Sequence, residues 1–147
     1  RDYNQIEGNY YVNDMTADGR KCFVCGPTND IGLKLIFRLD DDSVCRSEFT
    51  PDALHCGWDG ITHGGIIFSV LDDVMANWIH LNGMRGFTAK CDIRYKGSLP
   101  TGIKVKLEGH CVKQRGRLIV MMGKMIRTDT NETVAETEAS FMQEAKS

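Results

Sequence analysis

Two hydrophobic periods divide this chain. Between Thr62 and His80 the apolar residues Ile67, Leu71, Val74 and Trp78 fall at i, i+4, i+7 and i+11, the stripe of a helix packed on one side. Gly83 lies just past the end of that stripe, where helices commonly stop. From Phe87 the period becomes two. Phe87, Ala89, Cys91, Ile93 and Tyr95 alternate with Thr88, Lys90, Asp92 and Arg94, which predicts a half-buried strand. Ile103, Val105 and Leu107 open a second strand running to about Lys113, Leu118 to Ile126 predicts a third, and Val134 to Met142 a fourth. Ahead of the helix, Leu33, Leu35, Phe37 and Leu39 predict a strand, and Val44 to Phe49 its returning partner, ended by Pro51.

The order is strand, strand, helix, then four strands joined by short turns, and short turns demand antiparallel neighbours. One long apolar helix and one antiparallel sheet predict an α+β fold in which the sheet curls around the helix. Residues 1–21 are polar and glycine-bearing, with Tyr3, Tyr10 and Tyr11 as the only bulky anchors, so a loose arm with a short helix is expected there. Residues 22–147 are expected to form a single domain.

Charge narrows the partners. A formal charge of -2 gives no basic character, so no nucleic acid partner is expected. No membrane span is expected either, since Asp72 and Asp73 interrupt the best apolar run. Nothing near the start resembles a signal peptide, and the six cysteines lack framework spacing, which together predict reduced thiols in a cytoplasmic protein. Cys22-Phe23-Val24-Cys25 has the spacing of half a zinc site, whose other half would come from His55 with Cys56 or from a partner chain. A lone pair of this kind is a weak signal, and the expectation is no metal and no cofactor. Met121, Met122 and Met125 read as core filler, and His80 and His110 as structural.

The chemistry that stands out is the pair of carboxylates in the middle of the helix. The neighbours three and four residues from Asp72 are Phe68, Ser69, Met75 and Ala76, mostly apolar. Those of Asp73 are Ser69, Val70, Ala76 and Asn77, a more polar set. A carboxylate on an apolar face is costly to bury, so Asp72 is a candidate for a chemical task or for the solvated edge of a cleft.

Four pieces, in this order, resemble the hotdog-fold acyl-CoA thioesterases, and within them the phenylacetyl-CoA thioesterase-like branch. They are Cys22-Phe23-Val24-Cys25-Gly26-Pro27 with Asn29 and Gly32-Leu33-Lys34; Gly57-Trp58-Asp59-Gly60 ahead of His63-Gly64-Gly65; Asp72 nine residues after His63; and Thr88-Ala89 leading into Ile93-Arg94-Tyr95-Lys96. The resemblance covers about residues 22–142 and implies hydrolysis of an acyl-CoA thioester. It assigns the role of base or nucleophile to Asp72, the amide that polarises the thioester carbonyl to Gly64, and a water-placing hydroxyl to Thr88. It leaves His63 mainly to shape the helix entrance, with a polar contact to substrate as a further role. Gly65 is expected at the substrate, and Trp58, beside the entrance, is expected either to line an acyl pocket or to pack over its loop. The loop 57–61 lacks the Asn or Gln that holds the attacking water in certain relatives. Arg94 and Lys96, with Arg115 and Arg117, are candidates for the Coenzyme A phosphates.

Helix geometry adds a constraint. Gly64 and Asp72 are eight residues apart, roughly 12 Å along the axis. One thioester carbon cannot touch both, so the mechanism requires Gly64 of one chain and Asp72 of another, an obligate homodimer that the sequence leaves free to pair into a homotetramer. A non-catalytic hotdog module binding acyl-CoA or a lipid is the alternative. The acyl group is not legible.

Overall fold

The computed structural model describes residues 2–6, 9–13 and 18–145, with side chains from residue 19 onward. One helix, α1 (Gly64–Leu81), lies across a single sheet. The strands are β1 (Asp2–Ile6), β2 (Asn9–Asn13), β3 (Arg38–Leu39), β4 (Cys45–Phe49), β5 (Gly86–Tyr95), β6 (Val105–Arg115), β7 (Leu118–Arg127) and β8 (Thr133–Gln143). They pair antiparallel throughout, in the order β1-β2-β3-β4-β6-β7-β8-β5. The arm expected over residues 1–21 carries the β1–β2 hairpin and a 3₁₀ turn at Asp18–Lys21.

The apolar stripe of α1 does what its spacing requires. Ile67, Leu71 and Val74 are buried, joined by Val70, Met75 and Ile79, against Leu107, Met121, Met125 and Phe141 from the strands. Truncating a fully buried leucine in such a setting costs roughly 2–5 kcal/mol. Met121 and Met125 fill the core as expected, whereas Met122, one position out of phase, is partly exposed. Strand β6 passes so close beneath the helix that a Cβ on Gly109 would lie 2.9 Å from the Val74 carbonyl oxygen. Only glycine fits there.

Both helix ends are built by local chemistry. His63 is the N-cap, with extended backbone (φ -62, ψ 133) and a side chain whose Nδ1 accepts from the Gly65 N–H at 2.8 Å. At the other end Gly83 takes φ +79, its N–H bonds to the His80 carbonyl, and the Met84 N–H reaches the Ile79 carbonyl. This is the double bond of a Schellman cap, which satisfies carbonyls that the helix leaves over.

Two strands differ from expectation. The alternation of Leu33, Leu35 and Phe37 does turn alternate side chains inward, but only Arg38 and Leu39 join the sheet. Upstream, Leu33 and Leu35 donate their N–H groups to the carbonyls of Phe23 and Val24, and Lys34 sits at φ +56. That backbone therefore pairs with the Cys22–Cys25 turn rather than extending β3. In β5 only Cys91 and Ile93 are half-buried against the core, while Phe87 is 54% and Tyr95 49% exposed. β5 is the last strand of the sheet order, and its free edge has no neighbour among the described residues.

Candidate active site

The N-terminus of α1 and the middle of α1 form two distinct polar centres. At the N-terminus, Gly65 spends its N–H on His63. The Gly64 N–H has no acceptor among the described residues, while the Gly64 carbonyl accepts from the Tyr95 hydroxyl at 2.8 Å. An unpaired amide at the positive end of a helix is ready to hold an anionic oxygen. It opens onto a groove of about 480 Å³ lined by Cys56, Gly57, Trp58, Ile61, Thr62, His63 and Gly64. Trp58 is 84% exposed, so it lies over the groove rather than packing into the core.

Two turns further along, the Thr88 hydroxyl donates to Asp72 Oδ1 at 2.7 Å. Burial pushes the Asp72 carboxyl above its ordinary pKa, and the Thr88 hydrogen bond partly offsets that rise. Cys91, on the same side of β5, is pushed up to about 11, first by burial and then by the charge of Asp72.

Strand parity alone would send Thr88 to the outer face with Lys90, Asp92 and Arg94. The register of β5 against β8 skips at Ala89, between Thr88 and Lys90, and this bulge reverses the parity. Thr88 and Tyr95, an odd number of residues apart, therefore both reach α1, one at Asp72 and the other at Gly64.

The remaining sites divide. Arg94 is exposed and makes no ion pair among the described residues, whereas Lys96 is paired with Glu136 at 3.4 Å. The Arg117 guanidinium donates to the Gln143 carbonyl at 2.8 Å, and Arg115 is exposed. His55 caps its own 3₁₀ turn by accepting from the Asp52 N–H through Nδ1, at 3.0 Å. All six cysteines are free thiols.

Asp73 corrects the expectation of a carboxylate in ordinary polar surroundings. Its side chain points toward the Cys22–Cys25 turn, with Cys22 Sγ 3.7 Å from Oδ1, and the Asn77 amide donates to Oδ2 at 3.1 Å. Burial, and then the charge of Cys22, push Asp73 up to about 7. The Cys25 thiol donates to Cys22, which holds Cys22 low and Cys25 high. Helix neighbours three and four apart could not reveal this, because the partners come from another part of the chain. Tyr95 was missed likewise: its partner is a backbone carbonyl.

Among proteins of known structure, the fold recurs in a thioesterase superfamily protein 26% identical to this chain, with a TM-score of 0.78 over 84% of this chain. The chain spans 60% of that protein's length. A hypothetical thioesterase protein from Streptococcus pneumoniae, solved with Coenzyme A, is 17% identical, with a TM-score of 0.67 over 70% of this chain and 82% of that one. That Streptococcus protein was also solved with alanine in place of one aspartate and in place of a threonine sixteen positions later. The Escherichia coli PaaI protein from the phenylacetic acid degradation operon is 17% identical, with a TM-score of 0.67 over 71% and 75% of the two chains. No curated protein matches the chain significantly. The family model of the Thioesterase superfamily matches residues 59–145, from the loop before α1 through the last strand. The chain belongs to that superfamily, and its sheet and helix are the hotdog fold of these thioesterases.

No helix among the described residues is long and apolar enough to cross a membrane.

Proposed function

We propose that this protein hydrolyses an acyl-CoA thioester, with Asp72 as the general base. The observation that carries the reading is the Thr88 hydroxyl 2.7 Å from Asp72 Oδ1, on a carboxylate raised by burial. A carboxylate that has lost part of its water gains basicity, and a hydroxyl held beside it can fix a water molecule for attack. The same spacing of sixteen residues separates the aspartate and threonine that were replaced in the Streptococcus protein. Coenzyme A bound to that protein supports the carrier.

In the reaction, Asp72 takes a proton from water as its oxygen attacks the thioester carbon. The carbonyl oxygen becomes an oxyanion held by the free N–H of Gly64. The C–S bond then breaks, and the Coenzyme A thiolate leaves with the proton returned by Asp72. A preorganised amide at such an oxyanion typically contributes about 10²–10³ in rate.

Gly64 and Asp72 of one helix are roughly 12 Å apart, so the amide belongs to Gly64 of the partner subunit. The free edge of β5, with Tyr95 half-exposed on the face toward α1 and Phe87 exposed on the other face, is the surface that a second copy would cover. His63 holds the loop at the helix entrance through Gly65, and Trp58 lies where an acyl group would enter. Arg94, with no ion pair among the described residues and near the end of β5, suits a Coenzyme A phosphate better than Lys96, whose charge is engaged by Glu136.

The test is a panel of short, medium, long and aromatic acyl-CoA thioesters, followed by loss of thioester absorbance, with the wild-type protein and Asp72→Ala. Turnover of at least one class that Asp72→Ala abolishes is expected. Tight binding of acyl-CoA without cleavage would instead favour a non-catalytic module.

A further inference from the structure

Cys22, Cys25 and Asp73 are the only group of three metal-ligating side chains that converge among the described residues, their donor atoms all within 4.8 Å of one another. None of the three is used by the chemistry proposed at Asp72. We propose that they form a binding site for a thiophilic divalent cation of the zinc class, which clamps the 22–25 turn onto the catalytic helix.

The turn is shaped for the task. Cys22-Phe23-Val24-Cys25-Gly26 folds back so that the Cys25 N–H points at Cys22 Sγ, at 3.5 Å, and the Gly26 N–H bonds to the Cys22 carbonyl at 2.8 Å. A Cβ on Gly26 would collide with the Cys22 nitrogen, so only glycine closes the loop this tightly. Backbone amides aimed at a sulfur favour its thiolate, the form that binds a metal.

The carboxylate is oriented as well. Asn77 donates from one amide to Asp73 Oδ2 and to the Asp73 carbonyl, which leaves Oδ1 facing the sulfurs. Metal sites characteristically hold their ligands in place by such outer hydrogen bonds. With ordinary zinc–sulfur and zinc–oxygen lengths, a tetrahedral ion places sulfur and oxygen ligands about 3.5 Å apart. Cys22 Sγ and Asp73 Oδ1 are 3.7 Å apart before any ion is added. A dithiol that merely cycles to a disulfide needs neither the carboxylate nor its orientation by Asn77.

The half-site seen in the spacing of the cysteines is thus completed from within the chain. His55 is engaged with Asp52, and the third ligand comes from α1, fifty-one residues from Cys22. Three protein ligands leave a fourth position for water, and Cys22 and Cys25 are both partly exposed, so the ion has a way in. Binding displaces the protons that the thiols carry.

The experiment uses the whole chain, purified under reducing conditions without chelator, and asks for its zinc content and for its spectrum with cobalt(II). About one ion per chain is expected, with sulfur-to-cobalt charge-transfer bands in the near ultraviolet and ligand-field bands of tetrahedral intensity. Cys22→Ser and Asp73→Asn should each weaken binding by more than about 100-fold, and Asn77→Ala by about 10–100-fold, because it leaves the ligands but frees the carboxylate. Asp72→Asn should bind cobalt as the wild type does. Absence of the charge-transfer bands at equimolar cobalt, or binding that survives Asp73→Asn unchanged in a folded protein, would overturn the proposal.

Discussion

Asp72 and Asp73 are the same residue type one position apart, and they face two different chemistries. One step along a helix is a rotation of about 100°. Asp72 points toward β5, where its partner is an oxygen donor, Thr88, at 2.7 Å. Asp73 points toward the turn before β3, where its neighbours are two sulfurs and an amide. Both carboxylates are raised by burial, so desolvation alone does not tell them apart. What separates them is what each can hold: a hydroxyl that can order water on one side, soft donors that can share a cation on the other. A buried carboxylate acquires its task from the partners brought to it, not from its burial.

The contrast can be broken most forcefully by removing one carboxylate at a time. Asp72→Asn should cut kcat for the preferred acyl-CoA by about 10³-fold, within the usual range for a general base, while Asp73→Asn keeps kcat within about tenfold of wild type. Steady-state rates of the two variants, each with its fold checked by circular dichroism, decide this. Equal losses would mean that the two sides are not separate.

Next in size is the oxyanion donor. Gly64 is the first helical residue, its N–H has no acceptor among the described residues, and His63 before it is already extended. Proline is favoured at that position and tolerates that neighbour, so Gly64→Pro deletes the amide while the helix persists. A loss of about 10²–10³-fold in kcat with little change in KM is expected. Unchanged kcat would remove the amide from the mechanism.

Thr88→Ala should cost less. A hydrogen bond to a charged group contributes about 1.5 kcal/mol or somewhat more, so kcat should fall about tenfold or a little further. Smallest is Tyr95→Phe, which deletes one hydroxyl bond to a backbone carbonyl. About 1 kcal/mol of stability in urea denaturation is expected to go, with less effect on kcat than Thr88→Ala.

Much of this was legible in the residues. The apolar stripe gave α1 to within about two residues at each end, because a helix packed on one side leaves its period in the chain. The four strands after it stood out for the same reason. β3 was not legible: Leu33, Leu35 and Phe37 alternate in and out, yet the backbone of Leu33 and Leu35 pairs with the Cys22 turn, and alternation reports side chains rather than hydrogen-bond partners. The exposure of Phe87 and Tyr95 in β5 escaped as well, since alternation of residue types does not report which side chains a neighbouring element covers.

At the site, the Asp72–Thr88 pair came from resemblance, while parity argued against it; the bulge at Ala89 that reconciles the two leaves no mark in residue type. The Asp73–cysteine cluster was half visible, as a Cys-x-x-Cys pair. Its third member was hidden because a long-range contact has no spacing.

The proposed site is shared between two copies of the chain, and mixed dimers test that sharing directly. Chains carrying Asp72→Asn and chains carrying Gly64→Pro, each nearly inactive alone, are unfolded and refolded together in equal amounts. Half of the dimers then hold one chain of each kind, and each mixed dimer regains one intact site of two, so activity should return to about a quarter of wild type. A mixture no more active than its two components would contradict the account, since it would place Gly64 and Asp72 in the same chain's site or outside the chemistry altogether.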